Sequence, residues 1–251
     1  GFYTVDDFKP FDSKSRTWTL KDGVVNSSPL SGDPRPGNAK FKKLTPVDEN
    51  SANPYTLTDD DRTVIGNTTP KFSGGFGLNA TFKGFDVSAF FNFMYDFDVF
   101  NANKVMMTTW ASNNYNNFSM DISAAKRWRN FDDMGNEIRY SPEILAEFNK
   151  NATMWNPTSI GRPIAMSYAV EDGSFLRLNT ATIGYTLPRA WTNKVGLSRV
   201  RFYASGYNLF TITGYSGYDP EVDIATGLTP NIDNNRYPRS RTYTFGVQLT
   251  F

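Results

Sequence analysis

The chain contains no histidine and no cysteine, so its reactive side chains reduce to carboxylates, lysines, tyrosines and hydroxyls. That excludes imidazole and thiolate metal sites, Ser-His-Asp triads and cysteine nucleophiles. Paired carboxylates suit glycoside hydrolysis, with one acting as acid and the other as base or nucleophile. Two pairs lie close in sequence: Glu171 with Asp172, and Asp219 with Glu221. Adjacent residues on a strand point to opposite faces, which disqualifies the first pair. A second set of polar residues, Asn79, Asp86, Asn92, Arg201, Tyr203 and Gln248, is interleaved with large apolar residues. What that set does depends on the elements that carry it.

Those elements read as strands. KFSGGFGLNATF (71–82) places Phe72, Phe76, Leu78, Ala80 and Phe82 on one face and Asn79 on the other. GFDVSAFFNFMY (84–95) places Phe85, Val87, Ala89, Phe91, Phe93 and Tyr95 on one face, with Asp86 and Asn92 opposite. This period of two is the signature of a half-covered strand. Lys83-Gly84 between the runs is short enough for a tight hairpin. GSFLRLNTATIGYTL (173–187) breaks phase: Leu176 and Leu178 share one face, while Ile183, Tyr185 and Leu187 fall on the other, so a bulge is expected near Asn179. RVRFYASGYNLFTIT (199–213) alternates again, with Arg201 and Tyr203 on its polar face. The ending TYTFGVQLTF (242–251) puts Tyr243, Phe245, Val247, Leu249 and Phe251 on one face, and Gln248 opposite. A soluble domain usually lets its terminus fray; this one reads as anchored.

Between the clusters, Asp96 to Asp172 is long and irregular, apart from a short helix expected at SPEILAEFNK (141–150) with Ser141 as its cap. GFYTVDDF, SRTWTL and AKFKKL near the start are possible short strands, and SSPLSGDPRPGN, with three prolines and two glycines, reads as loop. With 26 Lys+Arg against 25 Asp+Glu, net charge points to no nucleic-acid partner. No window approaches the roughly 20 apolar residues of a membrane helix.

Either a second sheet or hydrocarbon could cover the apolar faces. Hydrocarbon fits better. The runs are long, the apolar faces of 72–82, 85–95 and 243–251 carry no charge and are rich in Phe and Tyr, and connections alternate short and long. An open edge in lipid leaves backbone groups unpaired, and about eight strands is the usual minimum. Five convincing strands cannot close alone, so the expectation is one part of a larger barrel.

The runs 56–101, 170–188 (VEDGSFLRLNTATIGYTLP) and 199–222 (RVRFYASGYNLFTITGYSGYDPEV), with the ending YPRSRTYTFGVQLTF (237–251), resemble the C-terminal barrel region of SusC-like (RagA-like) TonB-dependent outer-membrane transporters. The resemblance implies an all-β fold, an antiparallel transmembrane barrel of about 22 strands with a plugged lumen, of which residues 1–251 supply the C-terminal part, about the last six strands. The plug domain would lie upstream. It implies import of oligosaccharides or peptides, with a SusD-like surface lipoprotein as partner and energy relayed by TonB through the upstream plug. No cofactor, metal or enzymatic activity is implied.

In the same family the final strand looks like the signal read by the barrel-assembly machinery. Tyr243, Phe245, Val247, Leu249 and Phe251 match its alternation. Asn79, Asp86, Asn92, Arg201, Tyr203 and Gln248 would then face the lumen, where side chains tune what passes. Asp219 and Glu221 fall in the SGYDPEV loop that the family carries for structural reasons. The region LTPVDENSANPYTLTDDDR lacks the Gly-punctuated spacing of a calcium loop seen in some relatives, so Asp59, Asp60 and Asp61 read first as a solvated acidic loop capping a strand entry, with a site for an oxygen-seeking cation as the alternative. Trp110, Trp128 and Trp155 read as loop packing or interface residues rather than sugar platforms. The reading of another class is a soluble β-sandwich module that binds glycans, its strands buried against each other.

Overall fold

The computed structural model describes residues 1–110, 118–160, 164–222 and 231–251. The chain divides into two units, one of Gly1–Val64 with Asn103–Met166 and the other of Ile65–Ala102 with Ser167–Phe251.

The second unit holds the strands: β1 (Phe72–Phe82), β2 (Phe85–Tyr95), β3 (Asp98–Asn101), β4 (Val170–Asp172), β5 (Phe175–Thr186), β6 (Arg199–Thr213), β7 (Ile232–Asp233) and β8 (Thr242–Thr250). The five runs expected from alternation become one antiparallel sheet, ordered β1-β2-β5-β6-β8. The sheet is open, with β1 and β8 at its edges. The hairpin between β1 and β2 turns on two residues of positive φ, Lys83 at 46° and Gly84 at 90°, the pairing whose twist suits flanking strands. Gly84 is needed for a second reason: a Cβ there would meet the Thr186 carbonyl oxygen at 2.8 Å.

The phase break in β5 resolves as a one-residue bulge. Phe90 pairs with Thr180 and Phe91 with Leu178, leaving Asn179 extra. One extra residue shifts parity, so Leu176 and Leu178 join Ala181, Ile183 and Tyr185 on a single face, against Phe93, Phe91, Ala89, Val87 and Phe85. In β6, Tyr207 pairs with Thr180 and Phe210 with Leu178. Two residues are therefore extra relative to β2, and parity returns to even. Phe202, Ala204 and Gly206 then share the apolar face with Phe210 and Ile212, and face Val247, Phe245 and Tyr243 of β8. The apolar row thus runs unbroken across five strands although the sequence slips phase.

The loop expected from Asp96 to Asp172 also holds strand, as does the connection between β6 and β8. β3 pairs antiparallel with β4 and parallel with β7, forming a second, three-stranded sheet. These segments are too short for periodicity to register, which is why alternation missed them. Phe97, Val99, Phe175, Tyr215 and Val222 form a buried cluster beside them. The Tyr215 hydroxyl donates to Asp233 at 2.7 Å. Burial first, then the Asp233 carboxylate, pushes the Tyr215 phenol well above its usual range.

The first unit is built mainly of turns. GFYTVDDF, SRTWTL and AKFKKL, expected as strands, form only isolated bridges such as Phe2 with Ala39 and Phe8 with Leu20. Val5–Asp7 is a single 3-10 turn. The loop SSPLSGDPRPGN contains one helical turn, Ser28–Ser31, with Pro29 in its first turn, where proline is tolerated. The expected helix is present as Pro142–Phe148; Ser141 holds the cap position, but its side chain makes no capping bond. Trp128, Ile138 and Leu145 form the local core with Phe2, Val5 and Trp18. Trp155 is also buried and its indole N–H reaches the Thr108 carbonyl at 3.3 Å, whereas Trp110 is 43% exposed and stacks on Phe118. Two of the three tryptophans therefore pack, as expected. Among the described residues no helix is long and apolar enough to cross a membrane.

Candidate functional site

Alternation fixes the two faces of the large sheet, and the cross-strand register decides which polar residues meet. Asp86 of β2 stands opposite Gly184 of β5, and Gly184 stands opposite Tyr203 of β6. Arg201 reaches over Gly184 to grip Asp86: its Nε donates to Oδ1 at 2.9 Å and a terminal nitrogen donates to Oδ2. A Cβ at Gly184 would lie 2.6 Å from both the Arg201 Nε and Asp86 Oδ1. Only a glycine in the intervening strand permits a bidentate fork two strands wide. The Arg201 guanidinium also lies 5.3 Å from the Tyr203 ring centroid, and Gln248 of β8 is the register partner of Arg201. Four of the six expected residues, Asp86, Arg201, Tyr203 and Gln248, therefore gather in one patch.

Asn79 and Asn92 lie on the same polar face but apart from that patch. Asn79 pairs with Ser88 near the β1 edge. Asn92 stands opposite Arg177, its Oδ1 buried and without a hydrogen-bond partner among the described residues.

Arg177 is the residue that sequence reasoning missed. It is 2% exposed and donates to Asp219 Oδ1 at 2.5 Å, with Glu221 3.6 Å away. Arg239 completes the cluster, bonding Glu221 at 2.6 Å. Asp219 and Glu221 are thus held between two arginines, a structural use of both carboxylates. The available signal was FLRLN, where a charge sits at a polar-face position of an otherwise apolar run.

The acidic run Asp59–Asp61 is a 3-10 turn with a reciprocal capping box on Thr58. Asp59 pairs with Arg62, exposed to water. Asp61 turns inward instead and accepts from the backbone of Leu44, Thr45 and Thr58 and from the Thr45 hydroxyl, with Lys43 3.3 Å away. Burial alone would raise its carboxyl, but these donors outweigh it and hold Asp61 well below the usual carboxylate range. The turn is solvated only in part, because Asp61 is occupied as a clasp. Among the described residues no group of acidic side chains is arranged to hold a metal ion.

The opposite face of the sheet is uncovered. Leu78, Phe82 and Phe245 are 60%, 70% and 81% exposed. Tyr243, Val247, Leu249 and Phe251, the rest of the terminal alternating set, are exposed as well; Phe251 lies just past the end of β8. A two-faced antiparallel sheet with this apolar row and open edges is a section of a transmembrane β-barrel.

No protein-family model matches the chain. TonB-dependent receptor P3 of Formosa agariphila is 32% identical over 228 residues, covering 88% of this chain and 20% of the relative. TonB-dependent receptor SusC of Bacteroides thetaiotaomicron is 32% identical over 164 residues, covering 60% of the chain and 15% of the relative. Among solved structures, the RagAB peptide importer in its open-open state superposes with a TM-score of 0.56 at 26% identity, covering 78% of this chain and 19% of that one. The chain spans between 15% and 20% of the length of these proteins. Over the stretch that it spans, it is a SusC-like, RagA-like TonB-dependent receptor sequence.

Proposed function

We propose that this chain is the C-terminal barrel portion of an outer-membrane transporter that imports oligosaccharides or peptides by TonB-dependent uptake. The observation that carries the reading is the unbroken apolar row over five long strands, backed by a polar, ion-paired face. In this reading the apolar row meets lipid and the patch of Asp86, Arg201, Tyr203 and Gln248 lines the lumen, with Asn79 and Asn92 keeping the remaining surface polar. The terminal set Tyr243, Phe245, Val247, Leu249 and Phe251 serves as the barrel-assembly signal. A SusD-like lipoprotein is the surface partner, the rest of the barrel supplies the missing strands, and TonB acts through a plug upstream. The protein is not an enzyme. The soluble sandwich is disfavoured, because it would bury Leu78, Phe82 and Phe245 against a second sheet, and all three are exposed.

Gel mobility of outer-membrane extract, unboiled against boiled, tests the reading. The peptides of this chain are expected in a large heat-modifiable band that also contains plug and lipoprotein sequences. Migration alone, at the mass of the chain and unaffected by boiling, would overturn it.

A further inference from the structure

The first unit contains a cleft that neither the sheet nor its polar patch accounts for. It has a volume of about 480 Å³, and Arg16, Arg35 and Arg139 line it. Asp33 is the single acidic side chain in its wall. Arg139 is already matched by Glu137 at 2.5 Å, but among the described residues Arg16 and Arg35 have no carboxylate within ion-pair distance, and both are exposed. Arg16 sits in the left-handed region, φ 54°, at the tip of a turn whose Asp12 accepts from Lys14 and Ser15. Its guanidinium is steadied 5.3 Å from the Tyr140 ring centroid, and Arg139 lies 5.8 Å from the same ring. Phe11 packs beside Tyr140 at 6.1 Å. Two guanidinium groups are thus carried on one aromatic support, and each keeps donors to spare.

We infer that this cleft binds an anionic oligosaccharide, with Arg16 and Arg35 receiving its carboxylate or sulfate groups. Planar guanidinium forks match both oxyanions. The rest of the wall mixes amides and hydroxyls, Asn38, Asn130, Thr17 and Thr158, which suit sugar hydroxyls, with the rings of Trp18 and Tyr140, which suit the apolar face of a sugar. None of the lining residues belongs to a strand, so the cleft offers no edge of the kind that captures an extended peptide. The inference rests on the importer reading only in naming the class of solute taken up; binding itself does not depend on transport.

The test is calorimetric titration of the protein, purified in detergent as the cell makes it. The probes are an oligogalacturonate, a sulfated galactan oligomer, a neutral oligosaccharide of equal length and oligoglutamate. Binding of the carboxylated or the sulfated saccharide is expected, the two arms telling which oxyanion is preferred. Arg16→Ala and Arg35→Ala should each weaken it at least about tenfold, whereas Lys150→Ala, which removes a charge outside the cleft, should not. Arg16→Lys and Arg35→Lys should recover part of the affinity. Equal binding of the neutral oligomer, unchanged binding by both alanine variants, preference for oligoglutamate, or no binding by a protein that remains heat-modifiable would each overturn the inference. Binding without TonB-dependent depletion of the probe from the medium would keep the site and remove the importer reading.

Discussion

Two side chains bear much of the polar architecture, and both act by leaving no charge alone. Arg177 is buried with Asp219 and Glu221 around it. Arg177→Met should cost about 3 kcal/mol in a urea or thermal unfolding measurement, because it leaves two partly buried carboxylates without their buried partner. Adding Asp219→Asn and Glu221→Gln should restore part of that loss, and a further loss instead would show that the pair acts elsewhere. Asp61 gives a pH-dependent case. Its folded-state carboxyl titrates below its unfolded value, so its stabilisation is complete above the ordinary aspartate range, near about pH 4, and is lost as acid carries the pH down through the depressed folded value. Asp61→Asn should therefore lower the thermal midpoint near neutral pH, and the gap to the parent protein should narrow only in strong acid. A gap that is constant with pH would show that the charge is not what matters.

At the level of elements, the bulge at Asn179 decides whether the sheet has two distinct faces. Without the extra residue, the half of β5 beyond it would rotate by one position, sending Ile183 and Tyr185 to the polar face and Thr182 and Gly184 to the apolar one. Arg201 could then no longer pass over Gly184 to Asp86. Deleting Asn179 should abolish the heat-modifiable species in outer-membrane extract, whereas Asn179→Ser, which keeps the residue count, should retain it. Equal assembly of the two variants would show that β5 tolerates either register. The alternating runs made the five long strands legible in advance, with ends within about two residues, and the phase break located the bulge. The short strands β3, β4 and β7 were not legible, because two to four residues are fixed by partners far along the chain rather than by their own pattern.

At the level of the molecule, the uncovered row of Phe and Tyr needs a solvent of its own kind. Phe245 lies in the middle of β8, opposite Ala204, and Phe245→Arg should oppose insertion by about 2–4 kcal/mol if it lies near the bilayer midplane. The expected outcome is loss of the protein from the outer-membrane fraction, while Thr244→Arg, on the other face, is tolerated. Equal recovery of both variants would argue that the row does not meet lipid. In lipid the edges at β1 and β8 would need partner strands, since unpaired backbone in hydrocarbon costs several kcal/mol per group.

The sequence by itself determined the class of the fold, the five long strands, their apolar faces and the absence of imidazole and thiol chemistry. A two-residue period is a local property, repeated often enough to outweigh any single exception. Only the tertiary structure decided which polar residues meet. It joined Asp86 to Arg201 across a glycine, buried Arg177 among the carboxylates of a distant loop, turned Asp61 inward and gathered the arginines of the cleft. Those contacts join residues from about 16 to 123 positions apart, and at such separations register and chain path, rather than periodicity, determine what touches what.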